Sequence, residues 1–185
     1  SSWLQCLVRL KKTIADLYKH NSFLLASEKL DDYEKEVFQQ VLLRKADEID
    51  YKSSLKELSG YLRKHYGREA LILVDEYDTP IINAYKHTPK PLKSEKGGDL
   101  TYYQRIIDFM QVFLGDAYKG NDQNLKKGLL TGVMRVGRES IFSEWNNFSV
   151  YGITSNYFSH SFGFTQEETE AILSHFGLSE KIPEV

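Results

Sequence analysis

Apolar side chains recur at helical spacing in four long stretches of the chain. Trp3, Leu7, Leu10, Ile14, Leu17 and Tyr18 form the first stripe, with Lys11, Lys12 and Asp16 between them, which predicts an amphipathic helix. A second helix is expected from about Asp31, with Tyr33, Val37, Phe38, Val41 and Leu42 on one face. The third should start at Ser54, where Glu57 completes a capping box, and carry Leu55, Leu58, Leu62 and Tyr66 to a stop at Gly67. The fourth starts near Thr101, with Gln104 three residues on, and presents Tyr102, Ile106, Phe109, Met110, Phe113 and Leu114. All four stripes read as core-facing surfaces. A shorter helix follows near the end, with Thr165 and Glu168 as its capping box, Ile172, Leu173 and Phe176 as its stripe, and Gly177-Leu178 as its stop.

Between the helices the period changes. Glu69 to Val74 and Lys127 to Val133 are short apolar runs, each following a helix and a polar turn (Gly67-Arg68 and Gly120-Asn121-Asp122-Gln123). Strands that alternate with helices imply right-handed crossovers and a parallel sheet. A weaker third strand is expected at Ser149-Val150-Tyr151-Gly152-Ile153, and a solvated loop over residues 86–98, where proline, glycine and lysine cluster. The expected class is helix-rich α/β with a small parallel sheet, strands near 69–75 and 127–133, flanked by helices.

The first strand ends in a distinctive way. Leu71-Ile72-Leu73-Val74 runs straight into Asp75-Glu76-Tyr77-Asp78-Thr79-Pro80. An all-branched apolar segment suits a strand buried on both faces. Carboxylates at its carboxyl end face the crevice where open α/β sheets bind ligands. In P-loop nucleotidases this is the Walker B position, where an Asp holds Mg²⁺, usually through water, and a following Glu orients the attacking water. Short motifs recur by chance, and a buried strand with a polar exit explains the same residues.

Bulk properties narrow the class further. At 185 residues the chain is long enough for one domain with a real core. Hydrophobic content of 41% and aromatic content of 13% argue against disorder. A formal charge of −2 gives no electrostatic reason to expect nucleic acid or an anionic membrane as partner. One cysteine, Cys6, excludes an internal disulfide framework and fits a cytoplasmic setting. No apolar run approaches the roughly 20 residues of a membrane span. The five histidines lack metal-ligand spacing, and Cys6 has no partner to make it a nucleophile. The Ser1-Ser2-Trp3 start, without Met or signal pattern, leads us to expect a piece of something longer.

Three segments in order carry a resemblance. They are Leu71 to Pro80; then Leu129-Leu130-Thr131-Gly132-Val133-Met134-Arg135-Val136 with Glu139-Ser140-Ile141-Phe142-Ser143 and Asn146-Asn147; then Phe162-Gly163-Phe164-Thr165-Gln166-Glu167-Glu168. The series resembles the AAA-ATPase-like family of bacterial P-loop proteins, over essentially the whole chain. The resemblance implies a partial P-loop NTPase fold, with ATP and Mg²⁺ as cofactors. On it, residues 1–185 form one truncated domain: a helical segment at 1–67, a Walker B and sensor core at 68–160, and a C-terminal helical segment at 161–185. Asp75 then matches the Mg²⁺ aspartate, and Glu76 the water-orienting residue. Thr131 matches the polar sensor of the γ-phosphate, and Arg135 a contact to phosphate or to a neighbouring subunit. Asp78, placed with Asp75 at the cofactor, and Pro80 belong to the family signature without a settled task. Asn146 and Asn147 suit a turn or helix boundary better than a ligand role. The resemblance also admits a homo-oligomer and a fused nuclease-like domain.

One departure bears on activity. No Gly-x-x-x-x-Gly-Lys-[Ser/Thr] occurs anywhere in the chain, and in the family that loop lies upstream of the segment matched here. Without its amides and lysine nothing cradles the β- and γ-phosphates, so the chain alone is not expected to hydrolyse ATP. A sheet lacking a central strand would also expose apolar surface and favour association. Two other readings stay open. Asp75-Glu76-Tyr77-Asp78 matches the Asp-Glu-x-Asp box of helicases, although Leu130-Thr131-Gly132 stands where those proteins carry Ser-Ala-Thr, and a non-catalytic interaction module of P-loop descent is the other, lesser alternative to the ATPase reading.

Overall fold

Side chains that can take up free amides mark where the helices begin. Ser2 with Gln5 opens α1 (Trp3–His20), Asp31 with Glu34 opens α2 (Asp32–Leu42), and Asp47 with Asp50 opens α3 (Glu48–Tyr66). Then come β1 (Ala70–Val74), α4 (Thr79–His87), α5 (Tyr102–Tyr118), β2 (Leu125–Leu130) and α6 (Gln166–His175). The computed structural model describes residues 2–88, 100–133, 149–152, 155–158, 161 and 163–184. It divides into two compact units, residues 1–146 and 147–185.

Three of the four long helices start as the sequence predicts. The third does not: it begins at Glu48 rather than Ser54. The Asp47–Asp50 pair supplies an earlier capping box, in which the Asp50 carboxylate accepts the Asp47 amide at 3.1 Å. Ser54 instead sits inside the helix, fully buried, its hydroxyl donating to Tyr51 O at 2.8 Å. The Tyr18 hydroxyl donates to the Ser54 carbonyl at 2.8 Å, so a small residue is needed where α1 crosses α3. Gly67 ends α3 with φ 71°, a left-handed conformation that glycine adopts without strain. Tyr33, expected on the apolar stripe of α2, is 75% exposed; the stripe is narrower, with Phe38 and Val41 fully buried.

The core of the first unit lies among α1, α2, α3 and α5. Tyr18, Phe38, Tyr51, Ile106, Phe109 and Leu114 are sealed from solvent, and Tyr18 meets Phe38 at 4.6 Å between ring centroids. Lys52 ties α3 to α5 by pairing with Asp108 at 2.5 Å. Beside this core, Glu57 accepts Ser53 Oγ at 3.1 Å through Oε1, while its Oε2 is buried with no partner among the described residues. Burial, reinforced by Asp50 and opposed by the Ser53 hydrogen bond, raises its pKa. A carboxyl raised on folding contributes most at low pH, and that contribution is lost as pH rises through the raised value. Glu57→Gln is therefore expected to raise the melting temperature at pH 7, with the gain vanishing below the ordinary carboxylate range. A variant that melts lower at pH 7 would contradict this.

The sheet is parallel, as the helix–strand alternation requires. Ile72, Leu73 and Val74 pair with Gly128, Leu129 and Leu130, after an irregularity between Ala70 and Leu71. The expectation of burial on both faces is corrected. Ile72 is 5% exposed, but Leu71 and Leu73 stand 62% and 70% exposed, with Leu129 beside them at 56%. Among the described residues only the Ile72 face is covered, chiefly by Tyr118 of α5, whose hydroxyl donates to Ile72 O and Leu129 O at 3.2 and 3.3 Å. β2 also stops at Leu130, short of the predicted Val133. Lys86 and His87, read as the start of a loop, form the last turn of α4; residues 89–99 lie outside the described residues.

In the second unit, α6 is capped by Thr165 and Glu168 as predicted. It ends with Gly177 at φ 71° and the Leu178 amide donating to Leu173 O at 2.8 Å, a Schellman-type stop. Residues 149–152 form no strand; Val150 and Tyr151 are about half exposed and unpaired by any ladder, and Ile153 lies outside the described residues. No described helix is long and apolar enough to cross a membrane.

Candidate functional site

The parallel register decides what meets at the strand ends. Val74 lies opposite Leu130, so the next residues, Asp75 and Thr131, emerge side by side. Backbone bonds carry the pairing beyond the sheet: the Thr131 amide donates to Val74 O at 2.9 Å, and the Tyr77 amide donates to Thr131 O at 3.1 Å. The Thr131 hydroxyl donates to Asp75 Oδ1. That same oxygen accepts the Glu76 amide at 2.9 Å, while Oδ2 accepts nothing from a described residue. Asp75 and Glu76 are both exposed.

Glu76 holds φ 52°, left-handed for a residue with a side chain. Such backbone costs on the order of 1 kcal/mol and clusters at functional positions. The turn it makes sends Asp75 and Glu76 outward and folds Tyr77 and Asp78 inward, at 8% and 1% exposure. Glu76 O accepts the Thr79 amide at 3.0 Å and its carboxylate accepts the Thr79 hydroxyl at 3.4 Å. Asp78 then begins α4, its carbonyl accepting the Ile81 and Ile82 amides at 3.0 and 2.9 Å, with Pro80 in the first turn, where a missing amide is harmless.

The structure thus gathers Asp75, Glu76 and Thr131 at one exposed edge, with Asp78 buried behind them. Arg135, Glu139, Asn146 and Asn147 lie outside the described residues. A groove of about 900 Å³ opens elsewhere, beside Glu57, Tyr61 and Asn124. No group of three His, Cys, Asp or Glu able to hold a metal occurs among the described residues. A cation bound here would therefore draw most of its ligands from water and a phosphate ligand, with one carboxylate from the chain. That is the usual protein share for Mg²⁺, and Asp75, exposed and with Oδ2 open, fits it.

Sequence reading missed two contributors. Tyr77 passed as part of an acidic motif, yet its amide locks the two strand ends together. Gly132 passed as a strand residue, although a glycine directly after a strand often marks close backbone approach.

The chain matches the family described as Predicted AAA-ATPase over residues 9–142, a span that includes most of the helical segment, both strands and the acidic turn. It is also 27% identical over 108 residues to a protein of Azotobacter chroococcum mcd 1 described as "Uncharacterized protein in vnfD 5'region". That match covers 58% of this chain and 18% of the relative. No solved structure matches the chain. With most of its length matched, this chain, an ATPase-like module, belongs to the predicted AAA-ATPase family.

Proposed function

We propose that this chain carries the Mg²⁺ and water-activating half of an ATP-hydrolysing P-loop module, built on part of a P-loop NTPase sheet. One observation supports it above all: an exposed Asp-Glu pair leaves one strand exactly where a threonine hydroxyl leaves its parallel neighbour. When bound, Mg²⁺ would neutralise charge developing on the transferred phosphoryl group. Asp75 would hold that ion through water. Glu76 would accept a hydrogen bond from the attacking water and aim it. The Thr131 hydroxyl, held against Asp75, would be the donor available to a terminal phosphate. Asp78 supports the turn from beneath, and Arg135 is the candidate phosphate or subunit contact. The phosphate cradle comes from a Gly-x-x-x-x-Gly-Lys loop not found in this sequence, so this stretch alone does not turn over ATP.

The test is turnover by the full-length protein, phosphate loop included, as a function of Mg²⁺. Asp75→Asn is expected to shift the Mg²⁺ requirement upward by about tenfold or more and to lower kcat, with melting little changed because the side chain is exposed. An unchanged Mg²⁺ profile would overturn the assignment.

The non-catalytic alternative has its own sign. If the full-length protein binds ATP but does not hydrolyse it, and Asp75→Asn alters only affinity, the chain is a nucleotide-sensing interaction module.

A further inference from the structure

Gly132 is an odd residue to find at the tip of β2. Its φ is not left-handed, so a left-handed turn does not explain the glycine. Space does. A Cβ built there would lie 2.7 Å from Tyr77 Cε1, 2.8 Å from Asp78 Oδ1 and 3.0 Å from Asp78 Cγ. Real Cβ atoms do not come so close, and neither neighbour can easily retreat, since Tyr77 and Asp78 are 8% and 1% exposed. The backbone of residue 132 is thus pressed against the inward half of the acidic turn, and residue 131 is held within bonding reach of its outward half.

We propose that Gly132 is a positioning residue: its missing side chain lets Tyr77 and Asp78 clamp the tip of β2, and the clamp sets the Thr131 hydroxyl against Asp75. The proposal rests on the reading of Asp75 and Thr131 as metal and phosphate-sensing groups, but its geometric core can be tested separately. The clamp has three components. The Tyr77 amide and Val74 carbonyl bracket Thr131 on its backbone. The Asp78 carboxyl and Tyr77 ring close over Gly132. The hydroxyl–carboxylate bond between Thr131 and Asp75 lies at the open end. A methyl group at 132 must move one wall of this clamp. The covalently adjacent Thr131 moves with it, and the hydroxyl leaves the position from which it meets both Asp75 and a ligand. Misplacement by about 1 Å is enough to lower a chemical step by roughly 10- to 100-fold.

The experiment compares Gly132→Ala with Gly152→Ala, a control at a glycine whose Cβ would meet nothing within 4 Å. On the present chain, amide hydrogen exchange should speed up roughly tenfold at Tyr77 and Thr131 in Gly132→Ala, with Ile72 unaffected. Unchanged exchange at Tyr77 overturns the clamp whatever the protein hydrolyses. In the full-length protein, Gly132→Ala should lower kcat by the stated factor with KM held, and Thr131→Val should do the same. A normal kcat in Gly132→Ala beside a depressed one in Thr131→Val overturns the positioning role. Faster Tyr77 exchange with Thr131→Val fully active upholds the clamp and refutes the phosphate-sensing reading instead. Should Gly132→Ala not fold, Tyr77→Ala and Asp78→Ala are added to it together, which removes both side chains the methyl would meet, with the folded Tyr77→Ala/Asp78→Ala protein as its reference. Recovered folding then supports the clamp, and continued failure overturns it.

Discussion

Glu76→Gln is expected to cut ATP turnover by the full-length protein at least about 100-fold, since a positioned acceptor for the attacking water contributes roughly 10²–10⁴. Nucleotide affinity should hold, because the substitution keeps size and placement and removes only the charge. Glu76→Gly sharpens the result. The backbone at 76 sits at φ 52°, where glycine relieves strain of about 1 kcal/mol. Part of that gain is offset by the freer unfolded chain. The glycine variant should therefore be as inactive as the glutamine variant, yet melt no lower than the parent. Loss of activity without loss of stability identifies a residue retained for chemistry at the expense of the fold. Undiminished hydrolysis by Glu76→Gln would refute the role.

The largest effect on stability is expected at Gly128. A Cβ there would fall on Cδ1 and Cε1 of the Tyr118 ring. That ring lies across both strands, and its hydroxyl bonds Ile72 O and Leu129 O. Burial raises the Tyr118 pKa far above its ordinary value, so the hydroxyl stays protonated, a donor, throughout the useful pH range. Gly128→Val must expel the ring and forfeit both bonds, a combined loss of about 2–4 kcal/mol. Urea denaturation should show it as a lower midpoint with the slope preserved. Tyr118→Phe, which keeps the ring and loses only the hydroxyl, should cost about 1 kcal/mol. If Gly128→Val were no worse than Tyr118→Phe, ring packing would not be what fastens the sheet.

Much of this architecture can be read from local chemistry. Capping boxes at Asp31, Thr101 and Thr165 announce their helices because side-chain and amide groups a turn apart satisfy one another. The parallel strand pair follows from the alternation of elements. Reading failed where two signals compete or where the decisive partner is remote. Ser54-Glu57 imitates a cap, but Asp47-Asp50 lies upstream, and only the Tyr18 hydroxyl, 36 residues away, shows why a serine is buried at 54. The run Leu71 to Val74 looks doubly buried because apolar content does not reveal which face a chain covers. At the candidate site, the acids were visible as a motif. The clamp was not, since a glycine's value lies in the neighbours it admits, and Tyr77 and Asp78 lie more than fifty positions before it.

Thr131 commits all three of its polar groups to one stretch of chain, 74–77: its amide donates to Val74, its carbonyl accepts from Tyr77, and its hydroxyl donates to Asp75. Such triple fastening makes the exit of the first strand and the tip of the second a single mechanical piece. A shift of either strand end must therefore move the other, and with it the turn that leads the chain into its next helix.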